Sequence, residues 1–180
     1  MKVISGFLKG RNIKSYDIEG TRPTMDRVKE SLFSMIQDKV PESVVLDLFA
    51  GSGSLGIEAI SNGCTFCYFN DFNRKCFTSL KSLLKEFNVD NCEVTPYDYK
   101  KALSYYKDKN ISFDIIFLDP PYKFRNINEI CKYIYENNML NKDGIIVIEI
   151  NDLYIDIDYL NKIKEKKYND KYILIYKNNL

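Results

Sequence analysis

Histidine is absent from all 180 residues. That absence removes Ser-His-Asp triads, histidine-ligated metal centres and imidazole acid–base chemistry together. Long apolar runs are also missing: none approaches the roughly 20 residues that cross a bilayer. The opening Met1-Lys2-Val3-Ile4-Ser5-Gly6 has no apolar stretch of the secretory kind. A cytoplasmic protein away from membranes is expected. Cysteines number five, an odd count that argues against disulfides in that compartment. Cys64 and Cys67 make a C-x-x-C, but no second pair stands at ligand spacing. They read as small apolar residues near a strand, and no metal is expected. Arginine is scarce as well: of five, Arg11, Arg22 and Arg27 fall within the first 27 residues.

The remaining composition, 45% hydrophobic and 28% charged, is that of an ordinary folded domain. A chain of this length buries enough surface to fold without staples. The net charge of +1 hides an asymmetry. Residues 1–31 carry seven Lys/Arg against four Asp/Glu, residues 162–180 six against two, and the middle thirteen against nineteen. Basic ends around an acidic centre suggest a polyanionic partner.

Val3-Ile4 and Asn12-Ile13, with Gly6 and Gly10 between, suggest a short hairpin. Asp17 to Pro23 reads as a loop, and Thr24 suits the cap of a helix over about Met25–Gln37. Val44 to Phe49 is an apolar run of the kind buried on both faces of a parallel sheet. A Gly/Ser turn, a helix over Leu55–Ser61 and a strand over Phe66–Asn70 follow. Further helices are expected from Asn73 to about Phe87, over Tyr99–Tyr106 and over Ile127–Asn137. Strands are expected over Cys92–Thr95, Phe113–Leu118 and Gly144–Ile150, then a hairpin of Ile163–Tyr168 and Lys171–Tyr176 around Asn169-Asp170. This alternation predicts an α/β fold: a mostly parallel sheet with helices on both faces and an antiparallel carboxyl-terminal hairpin. Ligands of such sheets bind at the carboxyl ends of the strands.

Asp47-Leu-Phe-Ala-Gly51-Ser-Gly53-Ser-Leu-Gly56 places G-x-G-x-x-G between a strand and a helix. The glycines alone do not choose the ligand. A dinucleotide would set its pyrophosphate on the helix N-terminus. Asp47, four residues before the first glycine, would repel that group and attract the α-ammonium of S-adenosylmethionine. Asp71, 20 residues past Gly51, suits a ribose diol in either cofactor. Asp98 is placed to accept from an adenine amine, or to cap a helix, or both. Asp119-Pro120-Pro121-Tyr122 separates the cofactors. Two prolines stiffen the chain and leave carbonyls without local donors. A planar exocyclic amine can donate to Asp119 and to the Pro120 carbonyl while Tyr122 stacks on its ring. Two acceptors on its protons would localise the amine's lone pair and aim it at a methyl group.

These residues resemble the class I S-adenosylmethionine-dependent methyltransferases that modify exocyclic amines. Within them the chain is similar to the bacterial 16S rRNA guanine-N2 methyltransferases of the Rsm D type. The similarity runs through Val3–Ile13, Arg22-Pro23-Thr24-Met25-Asp26-Arg27-Val28-Lys29-Glu30, Asp47–Ala59, Asp119–Tyr122 and Lys167-Tyr168-Asn169. Asp71 stands where relatives usually have glutamate, and Asn169 where glycine is frequent. The resemblance implies a Rossmann-like fold with a basic arm over residues 1–20 and a methyltransferase domain over 21–180. It implies S-adenosylmethionine held by Asp47, Phe49, Ala50, Gly51, Gly53, Leu55, Gly56, Asp71, Asp98 and Tyr99. It implies catalysis at Asp119, Pro120, Pro121 and Tyr122, and RNA contacts from Lys9, Arg11, Lys14, Arg22, Thr24 and Arg27. The partner would be ribosomal RNA or a small-subunit assembly particle. Adenine-N6 or cytosine-N4 methylation also suits the Asp-Pro-Pro-Tyr. An NAD-dependent oxidoreductase suits the glycine loop and Asp71, but gives Asp119–Tyr122 no purpose. A non-catalytic RNA-binding module would need a motif missing, and none is.

Overall fold

A computed structural model describes residues 1–14, 26–151, 155, 157–168 and 171–178. Helices α1 (Asp26–Ile36), α2 (Ser54–Ser61), α3 (Arg74–Glu86), α4 (Tyr99–Asp108) and α5 (Ile127–Glu136) alternate with strands. The strands are β1 (Val44–Asp47), β2 (Phe66–Asn70), β3 (Cys92–Thr95), β4 (Phe113–Leu118), β5 (Leu140–Ile150), β6 (Asn161–Tyr168) and β7 (Lys171–Lys177). They form one sheet in the order β3-β2-β1-β4-β5-β7-β6. The first five strands are parallel; β7 runs antiparallel between β5 and β6.

Side-chain alternation along each strand divides the core between the two faces of the sheet. Val45, Phe69, Ile115, Phe117, Ile145 and Val147 point to one face, under α1, α2 and α3. Leu46, Ile116, Leu118, Ile146 and Ile148 point to the other, under α4 and α5, where Phe113 joins them from before the irregularity in β4. The expected α/β sandwich is therefore observed. Some strand ends differ from expectation: β6 begins at Asn161, two residues early, and β7 runs one residue further, to Lys177. β1 stops at Asp47, two residues short of Phe49, although the Leu48 N–H still donates to the Phe117 carbonyl at 3.2 Å. β5 begins at Leu140, because the chain bulges past Asp143, whose φ is 62°, and rejoins β4 after a register shift. Cys64 and Cys67 are buried in the first cluster; burial pushes the Cys64 thiol up to about 12 and that of Cys67 upward too. These are inert apolar side chains, as their positions suggested.

The amino-terminal arm folds back on itself with a single antiparallel bridge, Lys2 to Asn12, and its glycines take left-handed φ of 75° at Gly6 and 85° at Gly10. It is not a free appendage. Val3, Leu8 and Ile13 are buried among α1, α2 and α3. A Cβ on Gly6 would lie 1.7 Å from the Ser61 carbonyl oxygen, so the turn is seated against the end of α2. Glu58 of α2 accepts from the Ile4 N–H at 2.9 Å and the Ser5 N–H at 2.8 Å. Fully buried Lys29 pairs with Glu58 at 3.1 Å and donates to the Lys2 carbonyl at 2.7 Å and the Ser54 hydroxyl at 3.0 Å. A buried ion pair and three apolar side chains thus fasten the short hairpin to the core. Phe7 nevertheless remains 70% exposed. The expected arm boundary at residue 20, the Thr24 cap and the Asn169-Asp170 turn fall outside the described residues.

Candidate active site

The carboxyl ends of β1, β2, β3 and β4 converge on one edge of the sheet, where the unusual residues of the sequence gather. Asp47 closes β1 and is 1% exposed. Its Oδ2 accepts the Gly56 N–H at 3.1 Å, which ties the strand end to the first turn of α2. Its Oδ1 is buried and has no hydrogen-bond partner among the described residues. Burial pushes the Asp47 carboxyl up to about 8, and the nearby Asp119 and Asp71 charges add to the rise against the Gly56 hydrogen bond. A buried acceptor left open in this way is costly unless a donor, above all a cation, completes it.

The turn after β1 takes its shape from glycine. Gly51 and Gly53 have φ of 54° and 78°. A Cβ at Gly53 would meet Leu80 at 2.3 Å, while one at Gly51 would meet nothing within 4 Å. Gly56 lets α2 press onto β2, where a Cβ would lie 2.2 Å from the Phe69 ring. Gly51 therefore fronts open space at the sheet edge. Ala50 N–H donates to the Asn70 carbonyl at 2.9 Å, and Leu55 is buried at the start of α2.

Asp71 follows β2 and has two backbone donors: Gly51 N–H to Oδ2 at 2.7 Å and Asn73 N–H to Oδ1 at 2.8 Å. Burial nevertheless raises its pKa, the two N–H bonds pulling against it. Each oxygen keeps acceptor capacity, so Asp71 both pins the glycine turn and faces the edge. Asp98 takes the capping role: its Oδ1 accepts from Lys100 N–H at 3.0 Å and Lys101 N–H at 3.1 Å.

Phe49 and Tyr99 join Phe124 in a ring cluster, with Phe124 5.2 Å from Phe49 and 5.3 Å from Tyr99, centroid to centroid. The Asn126 amide donates to the Tyr99 hydroxyl at 2.8 Å. Phe124 and Asn126 were missed from the sequence; their only signal was closeness to Tyr122. Asn70 was missed too. Its buried amide donates to the carbonyls of Leu48 and Tyr97 at 3.2 and 2.9 Å, while its oxygen accepts from Thr95 at 2.8 Å. It locks the ends of three strands together, a role marked only by a polar residue closing an apolar strand.

Asp119-Pro120-Pro121-Tyr122 leaves β4 on the rim of a cleft of about 680 Å³. Phe124 N–H donates to the Pro121 carbonyl at 3.1 Å, closing the turn one residue beyond the Pro120 carbonyl. Tyr122 is 64% exposed, a large ring held out toward solvent. The same cleft is lined by Arg125, Glu149 and Lys171. Lys14 borders a smaller crevice with Gly51 and Ser52, at the site edge. Lys9 and Arg11 are exposed; Lys9 follows the turn seated against Ser61 at the far end of α2, and Arg11 lies over the ring of Phe87, just past α3, at 5.3 Å. Arg27 is exposed on α1, and Arg22 and Thr24 lie outside the described residues. Among the described residues no cluster of His, Cys, Asp or Glu could hold a metal ion, and no helix is long and apolar enough to cross a membrane.

The chain is similar to known proteins in sequence and in fold. The family model described as conserved hypothetical protein 95 matches residues 1–177. YlbH of Bacillus subtilis, named as a candidate rRNA methyltransferase, is 44% identical over 83% of this chain and 82% of its own length. Ribosomal RNA small subunit methyltransferase D of Buchnera aphidicola is 37% identical over 82% of this chain and 76% of its own. The solved structure of yhhF from Escherichia coli, a candidate methyltransferase, superposes with a TM-score of 0.86 at 26% identity, covering 99% of this chain and 97% of that one.

Proposed function

We propose, for a chain that belongs to the conserved hypothetical protein 95 family and to the family of ribosomal RNA small subunit methyltransferase D, that it moves the methyl group of S-adenosylmethionine to the exocyclic N2 amine of a guanine in small-subunit rRNA. One juxtaposition carries the reading. The open acceptor of Asp47 and the Asp119-Pro120-Pro121-Tyr122 turn stand at the ends of adjacent strands, close enough for the Asp119 charge to act on Asp47.

The residues present suit that cofactor. The buried Asp47 Oδ1 needs a donor, and an α-ammonium offers three. A pyrophosphate there would face a carboxylate, which disfavours NAD. Gly51 leaves room beside the turn, Asp71 offers acceptors to ribose hydroxyls, and Phe49, Tyr99 and Phe124 offer ring faces to an adenine. Ala50, Gly53, Leu55, Gly56 and Asp98 shape this wall. Bound there, S-adenosylmethionine supplies an electrophilic sulfonium methyl. The chain's part is to hold the nucleophile in line, since orientation supplies much of the rate in a direct displacement. Asp119 and the Pro120 carbonyl accept from the amine's two protons, Pro121 fixes the turn, and Tyr122 stacks on a base taken out of its helix. No metal enters this chemistry.

The partner is ribosomal RNA, free or within an assembling small subunit in the cytoplasm. Exposed Lys9, Arg11, Lys14 and Arg27, with Arg22 and Thr24, are the contacts we assign to it. Labelled S-adenosylmethionine incubated with the RNA and with the particle, followed by nucleoside digestion, tests this. N2-methylguanosine is expected. N6-methyladenosine or N4-methylcytidine would overturn the choice of base, and binding of NAD without methyl transfer would overturn the enzyme class.

A further inference from the structure

Glu149 and Lys171 form an ion pair for which neither the fold nor the methyl transfer accounts. Glu149 lies near the end of β5 and Lys171 begins β7; they are 5% and 8% exposed and pair through Oε1 and Nζ. Two charges of opposite sign are seldom buried together without a task, because desolvation offsets much of their attraction. Both line the cleft that Asp119, Pro120 and Tyr122 border.

Strand register fixes their order. Leu118 of β4 pairs with Ile148 of β5, so Asp119 and Glu149 stand at one level on neighbouring parallel strands, about 4.8 Å apart. Ile150 pairs with Tyr172 of β7, which puts Lys171 one strand further along the same edge. Across the carboxyl edge of the sheet the side chains therefore run acceptor, acceptor, donor: Asp119, Glu149, Lys171. The Watson–Crick edge of guanine runs donor, donor, acceptor: the N2 amine, N1–H and O6. Adenine and cytosine place a lone pair next to their exocyclic amine, where Glu149 would repel it.

We infer that Glu149 and Lys171 read the target base, Glu149 accepting from N1–H and Lys171 donating to O6 while Asp119 accepts from N2. An ammonium has three donors and a carboxylate about four acceptor sites, so the pair can hold each other and a base edge at once. The inference rests on the guanine-N2 reading above and explains why this Asp-Pro-Pro-Tyr site takes guanine in preference to adenine or cytosine.

The test replaces the modified guanine, in synthetic substrate RNA, with 2,6-diaminopurine. That base keeps the N2 amine but presents a lone pair at N1 and an amine at position 6. The wild-type enzyme should prefer guanine by on the order of 10⁴-fold in kcat/KM, as sites built to hydrogen-bond a substrate's N–H groups do. Glu149→Gln, whose amide can donate to N1, and Lys171→Met should each lower the guanine rate and raise the diaminopurine-to-guanine ratio by about tenfold or more. Equal wild-type rates on the two bases would overturn the inference with no variant needed. So would variants that slow both substrates alike, the pattern of a pair that merely ties β5 to β7. A wild-type enzyme that leaves guanine unmethylated would instead overturn the guanine-N2 reading itself, and this inference with it.

Discussion

Asp47 shows how one side chain links stability to binding. Its carboxyl, raised from 3.8 to about 8 by burial, holds a proton at neutral pH when no cation faces it. A raised carboxyl contributes stability that is complete below pH 3.8 and is lost as pH climbs through about 8. Asp47→Asn escapes that loss. The variant's Tm should therefore gain on the wild type as pH rises from 5 to 8, while its affinity for S-adenosylmethionine collapses. A Tm difference flat across that range would show that Asp47 is already ionised. Burial raises the Asp71 carboxyl as well, but there the Gly51 and Asn73 N–H groups pull against the rise and hold the side chain in place. Asp71→Ala removes the ribose acceptor and frees the glycine turn at once. Hydrogen bonds to charged groups contribute about 1.5–3 kcal/mol each, so calorimetry should record a loss of affinity of at least tenfold. Unchanged affinity would take Asp71 out of the site.

At the scale of elements, α2 is held at both ends. Its first turn binds Asp47 through Gly56, and Glu58 clamps the arm with Lys29. Lys29→Met would leave the Glu58 charge buried without its cation, and breaking a buried pair costs about 3–5 kcal/mol. Thermal unfolding should show a large drop in Tm, and the double change Lys29→Met with Glu58→Gln should recover part of it. No recovery would mean that packing of the Lys29 stem, and not the pair, holds the arm. This network was not legible in the sequence, where Lys29 read as one more cation of a basic segment. What was legible was periodic. The apolar runs of β1 and β4, the Asn73 cap, which accepts from Lys75 and Cys76 N–H, and the glycine turn each follow from local chemistry. Strand ends were less so, because the bulge past Asp143 and the early stop at Asp47 are set by neighbouring strands. The same holds for the site. Asp47, Asp71 and Asp119 announce themselves by spacing, whereas Asn70, Phe124, Glu149 and Lys171 become neighbours only through sheet order.

The whole molecule sets a basic arm and a basic edge strand around an acidic middle. Every residue of β6 from Asn161 to Lys167 is exposed, Lys162, Lys164, Lys166 and Lys167 included. Lysines on an edge strand also deter strand pairing between molecules, so these four alone do not mark an RNA surface. The arm offers a cleaner test. Its backbone is docked, yet Lys9, Arg11 and Lys14 are exposed. The turn carrying Lys9 abuts Ser61, a helix length of about 12 Å from the glycine loop, whereas Lys14 borders that loop. Changing Lys9 and Arg11 together to alanine therefore probes RNA binding without disturbing the cofactor wall, and Lys14 is better changed separately. Arg11→Ala also forfeits the interaction with the Phe87 ring, worth about 0.5–1 kcal/mol at an exposed site, so bare affinity is an ambiguous readout. Salt dependence is not ambiguous. For every phosphate that the arm no longer neutralises, the slope of log affinity against log salt should fall by about 0.7–0.9. The double variant should show a shallower slope with unchanged affinity for S-adenosylmethionine. A wild-type slope would leave the arm as a fastened part of the core and nothing more.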